Sequence, residues 1–241
     1  MTSWRKNFST EDLNKIDEIK STQKSAPDKV VYHWRLAQWF PHLGDVVLAD
    51  LRAYYEELVK FNKAVNLVSP KTIPYADALH FADAIICSDL VSNKLNKNIA
   101  LYDIGSGNGF PGLVMALLHR DQKIVLLDID QRKCEFLKQV VSKLNLVNVQ
   151  VMNRKVEELP ADSIEQAISR GFAPLPKALL MLKKVFKKDG VFFHLKSDDW
   201  SQELAQLPTQ LFSTWKTEQA GEYTLPELGN KVFIIRTDKI S

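Results

Sequence analysis

The stretch LYDIGSGNGFPG, Leu101–Gly112, decides how this chain reads. Leu101 to Ile104 has the look of a short buried strand carrying one acid, Asp103. A helix pattern resumes at Pro111, so Gly105, Gly107, Gly109 and Gly112 punctuate a strand-to-helix turn. Such a turn cradles a phosphate, holds another ligand, or simply redirects the chain.

Outward from this turn, strands and helices alternate. Ile99–Ile104, Ile124–Asp128, Val149–Met152, Gln166–Ser169, Val191–Leu195 and Val232–Arg236 read as strands. Pro111–His119, Gln131–Leu144 and Pro174–Phe186 read as the helices among them. Unbroken apolar strands alternating with helices predict a parallel sheet covered on both faces. Upstream, Val46–Asn62 has a strong helical period, with Val47, Leu51, Tyr54, Tyr55, Leu58 and Phe61 on one face. Pro70 and Pro74 then break the chain before a second helix over about Ala76–Leu90. Ser9–Lys24 reads as a capped helix with only a thin apolar stripe, Leu13, Ile16 and Ile19. The expected organisation is an N-terminal extension over 1–35, a helical part over 36–95 and an α/β domain over 96–241.

Composition narrows the function. With 241 residues, 45% hydrophobic and 25% charged, the chain builds a core without staples. Cys87 and Cys134 show no C-x-x-C spacing, and the five histidines show no ligand spacing, so no metal site is expected. No apolar run approaches the ~20 residues of a membrane span, and no leader pattern opens the chain; the expected location is the cytoplasm. A net charge of +3 permits nucleic-acid binding without demanding it.

In an open parallel sheet, ligands bind beyond the carboxyl ends of the strands. Gly107-x-Gly109-x-x-Gly112 spells a dinucleotide fingerprint. Two features oppose that reading: Asp103 would repel a pyrophosphate, and Pro111 denies it an N–H at the helix start. A cationic ligand suits the acids better. In S-adenosylmethionine the sulfonium and amino groups favour Asp103, and Asp128, ending the next strand, is placed to accept two ribose hydroxyls. If the glycines only made a turn, the two strand-ending acids would be coincidental.

From about Tyr55 to Lys196 the sequence resembles the GidB (RsmG) family of ribosomal RNA methyltransferases. The residues that carry the resemblance are DIGSGNGFPG (Asp103–Gly112), LLDIDQRKCEFL (Leu126–Leu137), RKVEEL (Arg154–Leu159), ISRGFAPL (Ile168–Leu175) and HLK (His194–Lys196). FNKAVNLVSP (Phe61–Pro70) and HFADAI (His80–Ile85) look like the family's N-terminal helical part. The resemblance implies a Rossmann-like class I S-adenosylmethionine-dependent methyltransferase with a mostly parallel seven-stranded sheet. It implies transfer of methyl to N7 of a guanine in 16S rRNA, or in the small ribosomal subunit particle, with S-adenosylhomocysteine as product. Carried over by residue, it puts Gly105 and Phe110 on the cofactor, Val156 and Glu157 beside the adenine, and Arg170 in the active site in contact with the cofactor. Lys196 matches the lysine of the family's terminal-strand motif, with a positioning role toward RNA. Three positions depart from the pattern: Gly171 stands for the usual alanine, Ser197 for a glycine, and Leu79 for a basic residue. The extension over about Met1–Trp34 has no counterpart in shorter members.

The implied chemistry agrees with what the sequence lacks. N7 of guanine has a lone pair and no proton to lose, so no general base is expected. The loop SRGFAPLP after the fourth strand has neither the cysteine of carbon-5 methylation nor the Pro-Pro-aromatic motif of amino methylation. Arg170 suits a phosphate, the guanine edge or the cofactor carboxylate; a structural salt bridge is the other reading. Lys177, Lys183, Lys184, Lys187 and Lys188 read as a solvated helix end, whereas Arg132 and Lys133 are nearer the cleft and better placed for RNA. Trp34, Trp39 and Phe40 are expected to anchor the N-terminal helices. The rival functions are a small-molecule methyltransferase on the same fold and a non-catalytic RNA-binding module; the sequence leaves the oligomeric state open, with a monomer favoured.

Overall fold

Seven strands form one sheet in the order β3-β2-β1-β4-β5-β7-β6 in the computed structural model, which describes residues 32–65 and 67–241. The helix expected over Ser9–Lys24 lies outside the described residues. The strands are β1 (Leu101–Ile104), β2 (Ile124–Asp128), β3 (Val149–Asn153), β4 (Ile164–Arg170), β5 (Phe186–Lys196), β6 (Trp215–Thr224) and β7 (Lys231–Lys239). β1 to β5 are parallel, and β7 runs antiparallel between β5 and β6. From β1 the chain winds outward through β2 and β3, then returns to β4 on the other side. In open α/β sheets such a reversal marks the crevice that takes the ligand, which here falls at the carboxyl ends of β1 and β4.

Burial explains the unbroken apolar strands. All five residues of β2 are buried, and successive residues feed different layers. Leu126, Ile168 and Phe193 join one cluster, which also takes in α2 (Asp45–Val65), α3 (Asp83–Val91), α4 (Gly112–Leu118) and α5 (Gln131–Lys143). Their neighbours Leu127, Ala167 and Phe192 join the other, beneath α6 (Leu175–Leu182) and α8 (Thr209–Phe212). Two short helices complete the set, α1 (Leu36–Trp39) and α7 (Trp200–Ala205). Among the described residues, no helix is long and apolar enough to cross a membrane.

The helical part shares the first cluster. Leu51, Tyr54, Tyr55 and Leu58 of α2 lie in it with Phe81, Phe110 and Phe136. Trp34 packs on Tyr55 at 4.8 Å and edge-on to Phe81 at 5.2 Å, as expected of an anchor.

Three elements differ from the sequence reading. The helix expected over Ala76–Leu90 is a 3-10 turn, Ile73–Tyr75, a π turn, Asp77–Ala82, and then α3. All six residues of the π turn are buried, and apolar periodicity alone does not separate π from α winding there. The helix expected to reach Phe186 stops at Leu182, and β5 begins at Phe186. β6, absent from the strands read in the sequence, is a largely exposed edge strand with a register shift between Gln219 and Gly221. An edge strand needs no apolar run, so its sequence carries little signal.

Candidate active site

The glycine turn is tied to the next strand by its own backbone. Gly105 and Ser106 N–H groups both donate to the Leu127 carbonyl, at 2.8 and 3.1 Å. Gly105 has φ +72°, and a Cβ there would stand 2.9 Å from Cδ2 of Phe172. Both conditions exclude a side chain. Gly112 is required for a different reason: a Cβ would meet the Asp103 carboxylate at 2.5 Å and Leu126 at 2.7 Å.

Both strand acids converge on this turn. Asp103 is fully buried; its Oδ2 accepts the N–H of Gly112, the first residue of α4, at 2.9 Å. Its Oδ1 has no partner among the described residues. Burial pushes this carboxyl up to about 7, against the opposing pull of the Gly112 N–H and the Arg170 charge. With Pro111 lacking an N–H and Gly112 committed to Asp103, neither of the residues that open α4 has an N–H to offer a pyrophosphate. Asp128 accepts the Gly107 N–H at 2.7 Å through Oδ2 and the Asp130 N–H at 2.8 Å through Oδ1. An ionised carboxylate has about four acceptor sites, so each oxygen keeps capacity for a hydroxyl.

The other expected site residues divide into two groups. Val156, buried, and Glu157, exposed, sit on the 3-10 turn after β3, beside Arg154, whose N–H donates to the Asp128 carbonyl at 3.1 Å. Phe110 and Arg170 instead face the helical part. Phe110 is 3% exposed, stacked on Tyr54 and on His80, each at 5.2 Å. The Arg170 guanidinium lies 5.4 Å from the Phe110 ring centroid and pairs with Asp83 at 2.6 Å. It also donates to the Leu79 carbonyl and to Nδ1 of His80, both at 3.0 Å. Burial and the Arg170 charge hold His80 well below the usual imidazole range, so the ring is neutral and accepts at Nδ1. Lys196 is equally committed: its ammonium donates to Glu203 at 2.7 Å and to the Ala173 carbonyl at 2.9 Å.

Several site neighbours escaped the sequence reading. Phe172 rests on Gly105. Ile129, between Asp128 and Asp130, is 70% exposed at the same strand end, an apolar surface facing solvent. Glu203 holds Lys196, and Tyr223 donates to Asp83 at 2.6 Å. For Ile129 the signal was present, as an apolar residue between two acids; Glu203 and Tyr223 depend on long-range contacts. The departures have local settings too. Gly171 takes φ +66°, which suits glycine better than alanine. Leu79 is buried against Leu225 and Leu228, where a basic side chain would lose its hydration. Ser197 donates to Asp199 at 2.5 Å.

A donor-poor helix start, a glycine turn gripped by a strand-ending acid, and an unsatisfied buried carboxylate oxygen fit a cationic nucleoside. With the 3-2-1-4-5-7-6 sheet, they define a S-adenosylmethionine-dependent methyltransferase. The fold recurs in a SAM-dependent methyltransferase from Aquifex aeolicus, with TM-score 0.52, 16% identity, and coverage of 74% of this chain and 98% of that one. It recurs also in a predicted O-methyltransferase from Agrobacterium tumefaciens, with TM-score 0.52, 16% identity, and coverage of 66% and 81%.

The chain belongs to the GidB family, rRNA small subunit methyltransferase G, whose model matches residues 47–231. Ribosomal RNA small subunit methyltransferase G 3 of Bdellovibrio bacteriovorus is 44% identical over 223 residues, 92% of this chain and 100% of that protein. Ribosomal RNA small subunit methyltransferase G of Aeromonas hydrophila is 34% identical over 170 residues, 70% of this chain and 77% of that one.

Proposed function

We propose that this protein methylates N7 of a guanine in 16S rRNA by direct displacement, without a general base. The names of its relatives support ribosomal RNA as the substrate. The observation that carries the mechanism is the commitment of the polar side chains near the crevice. Arg170 is paired with Asp83, His80 accepts from Arg170, and Lys196 is paired with Glu203. These groups are arranged to position, not to take a proton.

N7 supports that economy, because it has a lone pair and no proton. S-adenosylmethionine supplies a methyl group on a positively charged sulfur. Displacement at that carbon would exchange the S–C bond for an N–C bond, releasing S-adenosylhomocysteine and leaving the positive charge on the guanine ring. The protein's task is to bring N7 to roughly 3–3.5 Å from the methyl carbon, in line. In this reading Asp128 accepts the ribose hydroxyls, Ile129, Val156 and Glu157 border the adenine, and Gly105 and Gly107 allow close backbone approach. Asp103 attracts the cationic end. Phe110, Arg170 and Lys196 hold the surrounding loops in place.

The test uses methyl-labelled cofactor with unmodified small-subunit RNA and, separately, small-subunit particles. Label recovered as N7-methylguanine at one position is expected. Label at another atom overturns the N7 assignment. Label confined to small metabolites favours the small-molecule enzyme, and salt-dependent RNA binding without transfer favours the binding module.

A further inference from the structure

Four cations cluster where the chain leaves β2 and β3, and two of them oppose a helix dipole. Arg132 and Lys133 occupy the first turn of α5, at the positive end of its dipole. Arg154 and Lys155 follow β3 directly and precede the turn carrying Val156 and Glu157. Little nearby neutralises them. The Arg132 side chain is 69% exposed and reaches Asp130 only at 3.4 Å, while the Asp130 carboxylate caps α5 through the Arg132 N–H at 2.9 Å. Arg154 and Lys155 are exposed, and no ion pair joins them to Glu157, Glu158 or any other acid among the described residues.

All four lie at the carboxyl edge of the sheet, beside the glycine turn. Asp128, which grips Gly107, also accepts the Arg154 N–H and pairs in register with Asn153. Lys183, Lys184, Lys187 and Lys188 offer a matched comparison. Lys183 and Lys184 follow α6, Lys187 and Lys188 open β5, and β5 is parallel to β4, so all four stand at the opposite edge of the sheet. Along the strand that is on the order of 20 Å from Lys196. Lys187 is paired with Glu165 at 3.2 Å, and cations after a helix C-terminus suit its dipole. Lys183 and Lys184 therefore suit the dipole of the helix they follow, whereas Arg132 and Lys133 oppose that of the helix they open.

We propose that Arg132, Lys133, Arg154 and Lys155 form a phosphate-binding rim that seats the ribosomal RNA backbone across the ends of β2 and β3. The inference rests on the rRNA reading and adds the surface that meets the substrate. Charge complementarity is its warrant: of these clustered cations only Arg132 has an ion pair among the described residues, a long and exposed one, and such a cluster releases the counter-ions of a phosphate backbone on binding.

Two four-site variants test it, with each cation changed to Gln: Arg132/Lys133/Arg154/Lys155, and Lys183/Lys184/Lys187/Lys188 as the control. Each is titrated with a small-subunit rRNA fragment between 50 and 200 mM salt, about the range where such contacts are most sensitive. The rim variant is expected to lose about tenfold or more in RNA affinity and to lower the log–log salt slope by about 3. Its S-adenosylmethionine affinity should stay within about twofold of the parent, because phosphate contacts position the nucleic acid and not the cofactor. The control should keep the parental slope, and an Arg132→Lys/Arg154→Lys variant should keep it too. A rim variant that binds RNA like the parent, or a control that loses as much, overturns the rim while a methylating parent keeps the rRNA reading intact. A parent that neither binds nor methylates small-subunit RNA overturns both.

Discussion

Asp103 is a single carboxyl with opposite effects on folding and on binding. In the unfolded chain it titrates near 3.8, and burial raises it to about 7 in the fold. Between those values the folded state holds the extra proton, so its contribution to stability is full below about pH 4 and declines as pH rises toward 7. Binding a cation requires the ionised form, so cofactor affinity should rise over the upper part of the same window. Asp103→Asn should flatten both trends relative to the parent and weaken S-adenosylmethionine binding at pH 8. Denaturant titration and calorimetry from pH 5 to 8 measure the two slopes; parallel pH profiles for parent and variant would remove Asp103 from the binding site. Gly105→Asp makes a second, blunter test. It forces a side chain into φ +72° against Phe172, and undiminished cofactor affinity would place the ligand elsewhere. The acids and the glycines were legible in the sequence because strand ends and tight turns restrict residue type. Which oxygen of Asp103 stays unpaired was not, because it depends on where α4 begins.

At the scale of elements, α7 acts on the loop that follows β4. Oε2 of Glu203 accepts both the Lys196 ammonium, at 2.7 Å, and the Leu175 N–H, at 2.6 Å. Lys196 in turn holds the Ala173 carbonyl. Glu203 therefore caps α6, and the pair pins the segment carrying Phe172 over the glycine turn. Glu203→Ala leaves a largely buried ammonium without its counter-ion and should lower stability by about 2–3 kcal/mol, within the range for hydrogen bonds to charged groups. Glu203→Gln keeps an acceptor for Leu175 and should recover part of that loss, while single-turnover methyl transfer stays slower than in the parent. An Ala variant within ~0.5 kcal/mol of the parent, the scatter of ordinary surface changes, would reduce the pair to a surface contact. HLK marked Lys196 in the sequence; nothing there marked its partner. The same limit explains the misplaced start of β5, where Lys187, Lys188 and Asp189 look like a helix end yet lie within the strand, at its register shift against β4.

At the scale of the molecule, the helical part and the sheet are one packed body, joined by a polar tie. Asp83 on α3 receives Arg170 from β4 and Tyr223 from β6, at 2.6 Å each. Burial and the nearby Asp83 charge push the Tyr223 hydroxyl well above its ordinary range, keeping it a donor. The sequence signalled both ends separately, as HFADAI and SRGFA. It had no means of showing that they meet, because the contact spans 87 residues. The match to the Bdellovibrio relative adds that part of the extension is shared with it, since 92% of this chain exceeds the portion after Trp34. The continuous apolar cluster from Leu36 to Ile234 predicts a single cooperative unfolding transition. Tryptophan fluorescence, which includes Trp34 and Trp39 in the helical part, should then coincide with far-UV circular dichroism. Asp83→Asn strands the Arg170 guanidinium and should lower stability by about 3 kcal/mol, whereas Tyr223→Phe, which spares the ion pair, should lower it by about 1–2 kcal/mol. In both variants the two probes should still move together, because the apolar contacts that join the parts remain. Two separated midpoints, or a larger loss from Tyr223→Phe than from Asp83→Asn, would mean that the helical part folds on its own and that Arg170 is free to serve the crevice directly.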